Sequence, residues 1–306
     1  MRPASASAAA AGAPARRAGL PLRQALLALA VVAVWGTNFV VIRIALQTLP
    51  PLLLALLRFG FVLVPAVLFV PRPAVRWPRL AAYGLLIGAG QFGLLYLAIA
   101  GSISPGLASL VVQVQVFFTI GLAMAADGER LRPRQWLALA LALAGLAVIA
   151  AHTDASTTPL GLALVLGAAL AWAGGNQVAR GMGRVDMLGV VVWSSAFALP
   201  PLLALTLAFE GWPAVRQGLA AADGAVWAAV AWQALGNSLF GYAAWGWLLA
   251  RHPAGTVAPL ALLVPVFGIG ASVAWLGEPL PAWKLAAALL VLLGLALNAL
   301  APRPRA

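Results

Sequence analysis

The feature that most constrains this chain is a series of long apolar runs, separated by short breaks rich in proline, glycine and charged residues. An α-helix needs about 20 mostly apolar residues to cross the hydrocarbon core of a bilayer. The sequence therefore predicts an all-α integral membrane protein with ten transmembrane helices. Their predicted positions are 25–46, 51–70, 80–100, 105–125, 134–151, 159–179, 187–208, 226–249, 255–276 and 282–301.

The composition supports a lipid bilayer as the surroundings of this chain. Its 306 residues are 63% hydrophobic and only 8% charged, whereas soluble domains carry roughly 25% charged residues. The net charge of +12 does not indicate nucleic-acid binding, because the basic residues fall in short clusters between the apolar runs. The chain has no cysteine, which excludes disulfides, iron–sulfur clusters and thiol catalysis.

The distribution of basic residues predicts the orientation. With the N-terminus in the cytoplasm, fifteen of the nineteen lysines and arginines lie in cytoplasmic segments and two on the other side. Cytoplasmic loops of membrane proteins carry this excess of positive charge, so both termini are predicted to be cytoplasmic. The abundance of arginine, alanine and leucine is typical of a GC-rich bacterial genome, and the predicted location is the bacterial cytoplasmic (inner) membrane.

Residues 1–24 are predicted to form a disordered, basic cytoplasmic tail, because they are of low complexity and rich in alanine and arginine. Together with the next apolar run they resemble a signal peptide. However, the run from Ala25 to about Leu46 is longer than the 7–15 apolar residues of a signal peptide. We therefore interpret that run as the first membrane helix.

An internal repeat divides the chain into two halves. A constant offset of 149 aligns residues 105–150 with the segment from Ala254 without gaps, and it matches Gly106 with Gly255. It also matches Gly128-Glu129 with Gly277-Glu278 between helices. The predicted halves are 25–151 and 159–301, with five spans each. Since five is odd, the second half is inverted relative to the first, a plan of secondary transporters whose substrate site lies between the halves.

Three motifs carry a resemblance to a known family. They are the sequence WGTNF at Trp35–Phe39, the pair Pro50-Pro51 followed by LRF at Leu57–Phe59, and GERL at Gly128–Leu131. These residues resemble the drug/metabolite transporter superfamily, EamA type, over nearly the whole chain. The stretches at 104–120 and 257–272 resemble the branch that exports O-acetylserine, cysteine and related metabolites.

The resemblance implies a secondary transporter that exports small amino-acid metabolites by alternating access, with a small-molecule substrate as its partner. An exporter of other small molecules or drugs remains the alternative. A cation exporter is expected to use a buried Asp or Glu, and no predicted span contains one. That absence favours zwitterionic or anionic metabolites.

Arg58 is the least expected residue of the predicted spans. It lies seven residues after Pro51, roughly 10 Å into the membrane, where an arginine costs about 2.5–3.5 kcal/mol to insert. Asn38 and Gln113 reach a similar depth. We hypothesise that Arg58 lines the transport path and binds the substrate's carboxylate bidentately. The alternative is a structural arginine that donates to carbonyl groups at the Pro50-Pro51 break.

The remaining candidates for the transport path are amides and tryptophans. A helix–helix hydrogen bond is the alternative role for each amide. Gln113 and Gln115 are two residues apart and are not expected to share a helix face. Arg43 is predicted to extend to the lipid headgroups. The further candidates are Trp35, Gln91, Gln115, Trp172, Asn176, Trp193 and Asn237.

No catalytic residue, metal site or cofactor is predicted. The chain lacks a Walker loop, a Gly-x-Ser-x-Gly sequence and a His-Glu-x-x-His sequence, so an enzyme or a direct ATP-driven pump is not favoured. A channel is disfavoured by the two-fold inverted plan. All seven acidic residues fall in predicted loops or at helix ends. Facilitated export, antiport and coupling to the membrane potential therefore all stay open.

Overall fold

The computed structural model describes residues 20–127, 132–153, 156–252 and 254–299. The predicted tail up to residue 19 and the GERL motif at Gly128–Leu131 lie outside these ranges. Within them the chain is helical, and the one extended contact is an isolated antiparallel bridge between Ile103 and Thr157. The expectation of an all-α protein is confirmed for this part of the chain.

The described residues form ten helical stretches, numbered α1 to α10 in chain order. They are α1 Leu22–Ala45, α2 Pro51–Ala66, α3 Trp77–Gly101, α4 105–127, α5 Pro133–Ala151, α6 Pro159–Arg180, α7 Met187–Ala221, α8 224–251, α9 254–276 and α10 Ala282–Ala299.

Eight of these stretches are long and apolar enough to cross a membrane. The two others are α2, whose α-helical part has 16 residues, and α8, which contains several polar residues. Large apolar side chains point away from the bundle, among them Phe69, which is 83% exposed, and Phe209, which is 78% exposed. Water would not tolerate such a surface, whereas lipid does. The chain is therefore an integral membrane protein.

Local sequence explains where the helices begin. Proline is the first residue of α2, α4, α5 and α6, a position whose backbone N–H has no partner inside a helix. The side chain of Asp223 accepts a hydrogen bond from the backbone of Val226 (2.9 Å) and caps α8. Inside α7, Gly211 has a φ of +78° and turns the last eleven residues of that helix into a new direction.

The helices alternate in direction. We call the end of the bundle where α1 begins the near end, and the end where α1 finishes the far end. At the near end, Arg79 at the start of α3 donates to the carbonyl of Gly181, just after α6. At the far end, the backbone N–H of Thr158 donates to the carbonyl of Ser102, just after α3 (2.8 Å). Successive helices therefore run in opposite directions through one bundle.

The packing pattern follows the sequence repeat. Helix α1 packs against α9, and its repeat counterpart α6 packs against α4, the counterpart of α9. The counterparts α5 and α10 pack against each other. A Cβ added to Gly145 in α5 would lie 2.6 Å from Val291, and one added to Gly294 in α10 would lie 2.6 Å from the carbonyl oxygen of Ala138. The offset of 149 thus matches two glycines that allow the same close crossing.

Close approach also explains Gly84 and Gly88, which are spaced as in a helix-packing motif. A Cβ on Gly84 would collide with the backbone of Ser194, and one on Gly88 with the side chain of Ala198. Both contacts are with α7. The two glycines therefore let α3 and α7 pack with their backbones close together.

Five of the described helices depart from regular α geometry: four of them form two repeat-related pairs, and α7 contains a separate π-helical segment at Thr206–Glu210. Helices α3 and α8 contain π-helical segments at Leu85–Gly93 and Trp232–Phe240. Helices α4 and α9 contain 3₁₀ segments at Val112–Val114 and Ala258–Leu263. In α9, Pro259 removes a backbone donor, which accounts for the distortion there. Segments of this kind often mark functional regions of helices.

Candidate functional site

A cavity of about 380 Å³ lies between the two halves of the bundle. Its wall begins in the far half of the bundle, at Ile42 of α1 and Leu95 of α3, and continues to Ala179 and Met187 at the near end. Leu249, at the near end of α8, lines the cavity and is 39% exposed. At the other limit of the lining, Ile42 is fully buried, so the cavity reaches the surface toward the near end and is closed toward the far end.

Uncharged amides supply much of the polar wall. Both halves contribute them, and several lie in the irregular segments described above. Gln91 lies in the π-helix of α3, Asn237 in the π-helix of α8, and Gln113 in the 3₁₀ turn of α4. Among the residues that the structure describes, no charged side chain lines the cavity. The amides that line the cavity are Asn38, Gln91, Gln113, Gln115, Asn176 and Asn237.

Gln113 and Gln115 both line the cavity, although they are two residues apart. The 3₁₀ turn at Val112–Val114 rotates the chain by about 120° per residue, compared with about 100° in an α-helix, which brings the two side chains closer in direction. The two residues were not expected to share a helix face, yet both side chains reach the cavity. Gln115 also accepts a hydrogen bond from Asn176 of α6 (2.8 Å), so it joins the two halves as well.

Aromatic rings form the apolar part of the wall. The Trp35 ring lies 5.9 Å from the ring of Tyr242 and 5.2 Å from that of Trp245, in tilted arrangements. Trp172, Tyr83 and Phe92 also line the cavity. The faces of such rings attract cations, and their large apolar area can cover the apolar part of a ligand.

Trp193 is the one tryptophan candidate that does not line the cavity. Its indole N–H donates to the carbonyl oxygen of Val70 (3.0 Å) at the near end, and its ring contacts that of Trp77. It therefore joins α7 to the segment after α2. The prediction that Trp193 lines the cavity is not met, because depth along a helix does not give the direction in which a side chain points.

Arg58 is buried behind the cavity wall rather than in it. It is 1% exposed and is absent from the cavity lining. Its Nη1 donates to the Tyr96 hydroxyl (2.9 Å), and its Nη2 donates to Asn237 Oδ1 (2.7 Å) and Ser238 Oγ (2.9 Å). It makes no hydrogen bond to a carbonyl at the Pro50-Pro51 break, so both interpretations of Arg58 need revision.

The Arg58 network is connected to the cavity through one residue. Asn237 accepts from Arg58 and also lines the cavity. Its backbone carbonyl accepts from the indole N–H of Trp35 (3.1 Å), which fixes its position against α1. Tyr96 in turn donates to Gln233. Tyr96, Gln233 and Ser238 were not among the residues predicted to line the path. The π-helix that groups Gln233, Asn237 and Ser238 on one side has no clear signal in the sequence.

Arg43 lies at the far end and binds protein rather than headgroups. Its Nη1 donates to the carbonyl oxygens of Ile99 (3.0 Å) and Ala100 (2.6 Å), in the last turn of α3. These carbonyls have no partner within the helix, and a cation is favourable there. The expectation that Arg43 extends to the lipid headgroups is therefore wrong.

Two carboxylates join the halves at the far end. Glu278, just after α9, accepts from the backbone N–H of Gly106 (3.1 Å) and from the hydroxyl of Ser104, at the start of α4. It also forms an ion pair with Lys284 (2.9 Å), whose residue is only 4% exposed although the sequence places it in an external segment. We call these four residues the α4–α9 clasp.

Glu210 of α7 makes the second connection, to the start of α2, which we call the α2–α7 clasp. Its two carboxylate oxygens accept from the backbone N–H groups of Leu52 (2.6 Å) and Leu53 (3.0 Å), in the first turn of α2. Both clasps use unpaired N–H groups at helix starts, where a negative charge is also favoured by the helix dipole. The far end is thus held shut by polar contacts between the halves.

The family model described as "EamA-like transporter family" matches residues 22–151 and 159–300. A protein of Salmonella typhimurium named "Probable amino-acid metabolite efflux pump" is 40% identical over 289 residues, which cover 92% of this chain and 97% of that protein. A protein of the same name from Escherichia coli K12 is 38% identical and covers 90% and 94%.

A solved structure also matches. It is titled "Crystal structure of protein", with a TM-score of 0.62 at 20% identity, and the match covers 90% of this chain and 95% of that one. At this identity the likeness concerns the fold alone, and it agrees with the helical bundle described above.

Proposed function

The chain belongs to the EamA-like transporter family, and we propose that it exports amino-acid metabolites from the cytoplasm by alternating access. It is a multi-pass protein of the bacterial inner membrane, and its relatives at 38–40% identity carry efflux-pump names. The observation that carries the proposal is the cavity between the halves. It is lined by uncharged amides and aromatic rings, open at one end and closed by clasps at the other.

The proposed architecture has ten membrane spans in two inverted repeats, at 25–151 and 159–301, with both termini in the cytoplasm. Two observations support the repeat. The irregular segments occur at corresponding places, as π-helices in α3 and α8 and as 3₁₀ turns in α4 and α9. The packing is also reciprocal, since α1 packs against α9 and α6 packs against α4. The excess of basic residues on one side supports the orientation. The near end then faces the cytoplasm.

In this orientation the structure corresponds to the state that loads cargo. The cavity opens to the cytoplasm, and the contacts of Glu210 and Glu278 close the periplasmic side. Two similar halves of opposite orientation can exchange the shapes of their ends around a fixed central site. Loading from the cytoplasm and release on the other side is the direction that an exporter needs.

The cavity suits a small polar cargo. A volume of about 380 Å³ lies at the small end of ligand sites. The amides can hydrogen-bond to carboxylate, ammonium and ester groups, while the rings around Trp35 cover an apolar body. The second candidate, a cationic drug, fits the cavity less well, because no carboxylate lines it in the described part of the chain.

The test is uptake of labelled O-acetylserine and cysteine into inside-out vesicles that contain the purified protein, with and without an imposed proton gradient. Uptake above that of empty vesicles is the expected result, and its dependence on the gradient separates antiport from facilitated export. Correctly inserted protein that takes up neither compound would overturn the proposed substrate class. A panel of other metabolites and drugs would then identify the cargo.

A further inference from the structure

Arg58 carries a buried positive charge that no anion in the described chain neutralises. A guanidinium stays protonated in proteins, and this one is 1% exposed near the middle of the bundle. The ion pair between Lys284 and Glu278 lies at the far end, remote from Arg58. Burial of an unpaired charge in a membrane protein is costly and is typical of functional positions.

The neighbours of Arg58 solvate this charge without cancelling it. All three hydrogen-bond acceptors, Tyr96, Asn237 and Ser238, are neutral. The guanidinium carbon lies 3.7 Å from the centre of the Phe92 ring, a cation–π contact. The Nε atom has no hydrogen-bond partner. The surroundings therefore hold the cation in place and leave its electric field to act on the adjacent cavity.

Asn237 transmits the effect of Arg58 to the cavity. Its Oδ1 accepts from Arg58, which leaves the Nδ2 donor of the same amide for a partner in the cavity that Asn237 lines. An anion bound to this donor would lie about 5–7 Å from the guanidinium, as the lengths of two hydrogen bonds require. At that separation, in a medium of low polarity, the attraction is substantial.

We propose that Asn237 and Arg58 form the subsite for the cargo's carboxylate, with Asn237 as the contact residue and Arg58 as the positioning residue behind it. The inference rests on the proposed function and adds to it the chemical group that the site recognises. The ammonium group of an α-amino acid then lies over the Trp35 ring, whose indole N–H is bonded to the Asn237 carbonyl. The site thus selects an amino acid with a free carboxylate.

The experiment uses proteoliposomes and measures how strongly each of two compounds competes with cysteine for export, expressed as the ratio of their inhibition constants. Labelled cysteine export is competed with serine or with serinamide, in which a neutral amide replaces the carboxylate. In the unmodified protein we expect serine to compete more strongly. In Arg58→Gln the preference for serine over serinamide should fall at least tenfold, through the KM of export rather than its maximal rate.

Two further variants separate this role from a purely structural one. Arg58→Lys keeps the charge but cannot reach Tyr96, Asn237 and Ser238 together, so it should keep part of the preference. Asn237→Ala leaves Arg58 intact and should also reduce the preference. Arg43→Gln is the matched control, because Arg43 binds carbonyls at the far end, and its serine-to-serinamide ratio should stay unchanged.

The outcomes distinguish this inference from the proposed function. If Arg58→Gln and Asn237→Ala still export cysteine with the original serine-to-serinamide ratio, the carboxylate subsite is wrong while the exporter stands. If the unmodified protein exports no cysteine, the proposed function fails first. A fall in preference confined to Arg58→Gln and Asn237→Ala, with Arg43→Gln unaffected, supports the subsite.

Discussion

Single glycines decide how closely the two halves approach at the crossing of α5 and α10. In Gly294→Ala the new methyl group would lie 2.6 Å from the carbonyl oxygen of Ala138. We expect a loss of about 1–3 kcal/mol in the free energy of unfolding, because the helices must separate to admit it. Thermal unfolding in detergent measures the change as a lower Tm.

The control for this prediction is Gly60→Ala in α2, where an added Cβ meets no atom within 4 Å. Alanine favours a helix over glycine by about 1 kcal/mol, so Gly60→Ala should keep or raise the Tm. The same propensity gain applies to Gly294, so any difference between the two variants comes from packing. Equal Tm values for both would show that the crossing is not tightly packed.

At the residue scale, the sequence predicts depth better than direction. Arg58 and Asn38 were placed at a similar depth from the rise of a helix, yet Asn38 lines the cavity and Arg58 lies behind it. Rise per residue gives the position along the membrane normal, whereas the side that a residue faces depends on how all the helices pack. Eight of the ten candidate residues line the cavity; Arg58 and Trp193 do not.

At the scale of helices, the α4–α9 clasp determines whether the far end stays shut. In Glu278→Gln the amide can still accept from Gly106, but it loses the charge that pairs with the buried Lys284. Leaving one charge of a buried pair unpaired is strongly unfavourable. We therefore expect the far end to open more often in this variant, and the equilibrium to shift away from the state described here.

The chain has no cysteine, which makes this shift measurable. In Ile42→Cys, the single thiol lies in the cavity wall toward the far end and is closed off from that side. A membrane-impermeant maleimide applied at the far side should react several-fold faster when Glu278→Gln is added. Asp223→Asn is the control, because Asp223 caps its own helix and does not connect the two halves of the protein. Equal rates in both backgrounds would contradict a closing role for the clasp.

The helical elements were partly predictable from local sequence. Apolar runs bounded by prolines locate most of the helices, and Pro259 signals the irregular turn of α9. The π-helices at Leu85–Gly93 and Trp232–Phe240 carry no proline and no obvious mark. These π-helices set the positions of Gln91, Asn237 and Ser238. The geometry depends on contacts with neighbouring helices, which cannot be inferred from a short stretch of sequence.

At the scale of the whole molecule, the orientation in the membrane is open to a direct test. Ala74 lies in the exposed near-end segment between α2 and α3, and Ala221 is exposed at the far end, where α7 finishes. In spheroplasts, an impermeant maleimide should label Ala221→Cys at once and Ala74→Cys only after the membrane is disrupted. The opposite pattern would reverse the orientation and, with it, the direction in which the cavity opens.

The far-end contacts have a consequence for how such a protein can diverge. In both clasps the donors include backbone N–H groups, of Leu52 and Leu53 in one and of Gly106 in the other. Apart from a change to proline, no substitution removes a backbone donor. Mutation can therefore adjust the strength of these contacts mainly through the acidic residue and its lysine. Substitutions at these few positions can therefore change the equilibrium between the inward-open and outward-open states during evolution. The residues that determine which cargo binds lie elsewhere, in the cavity, and need not change.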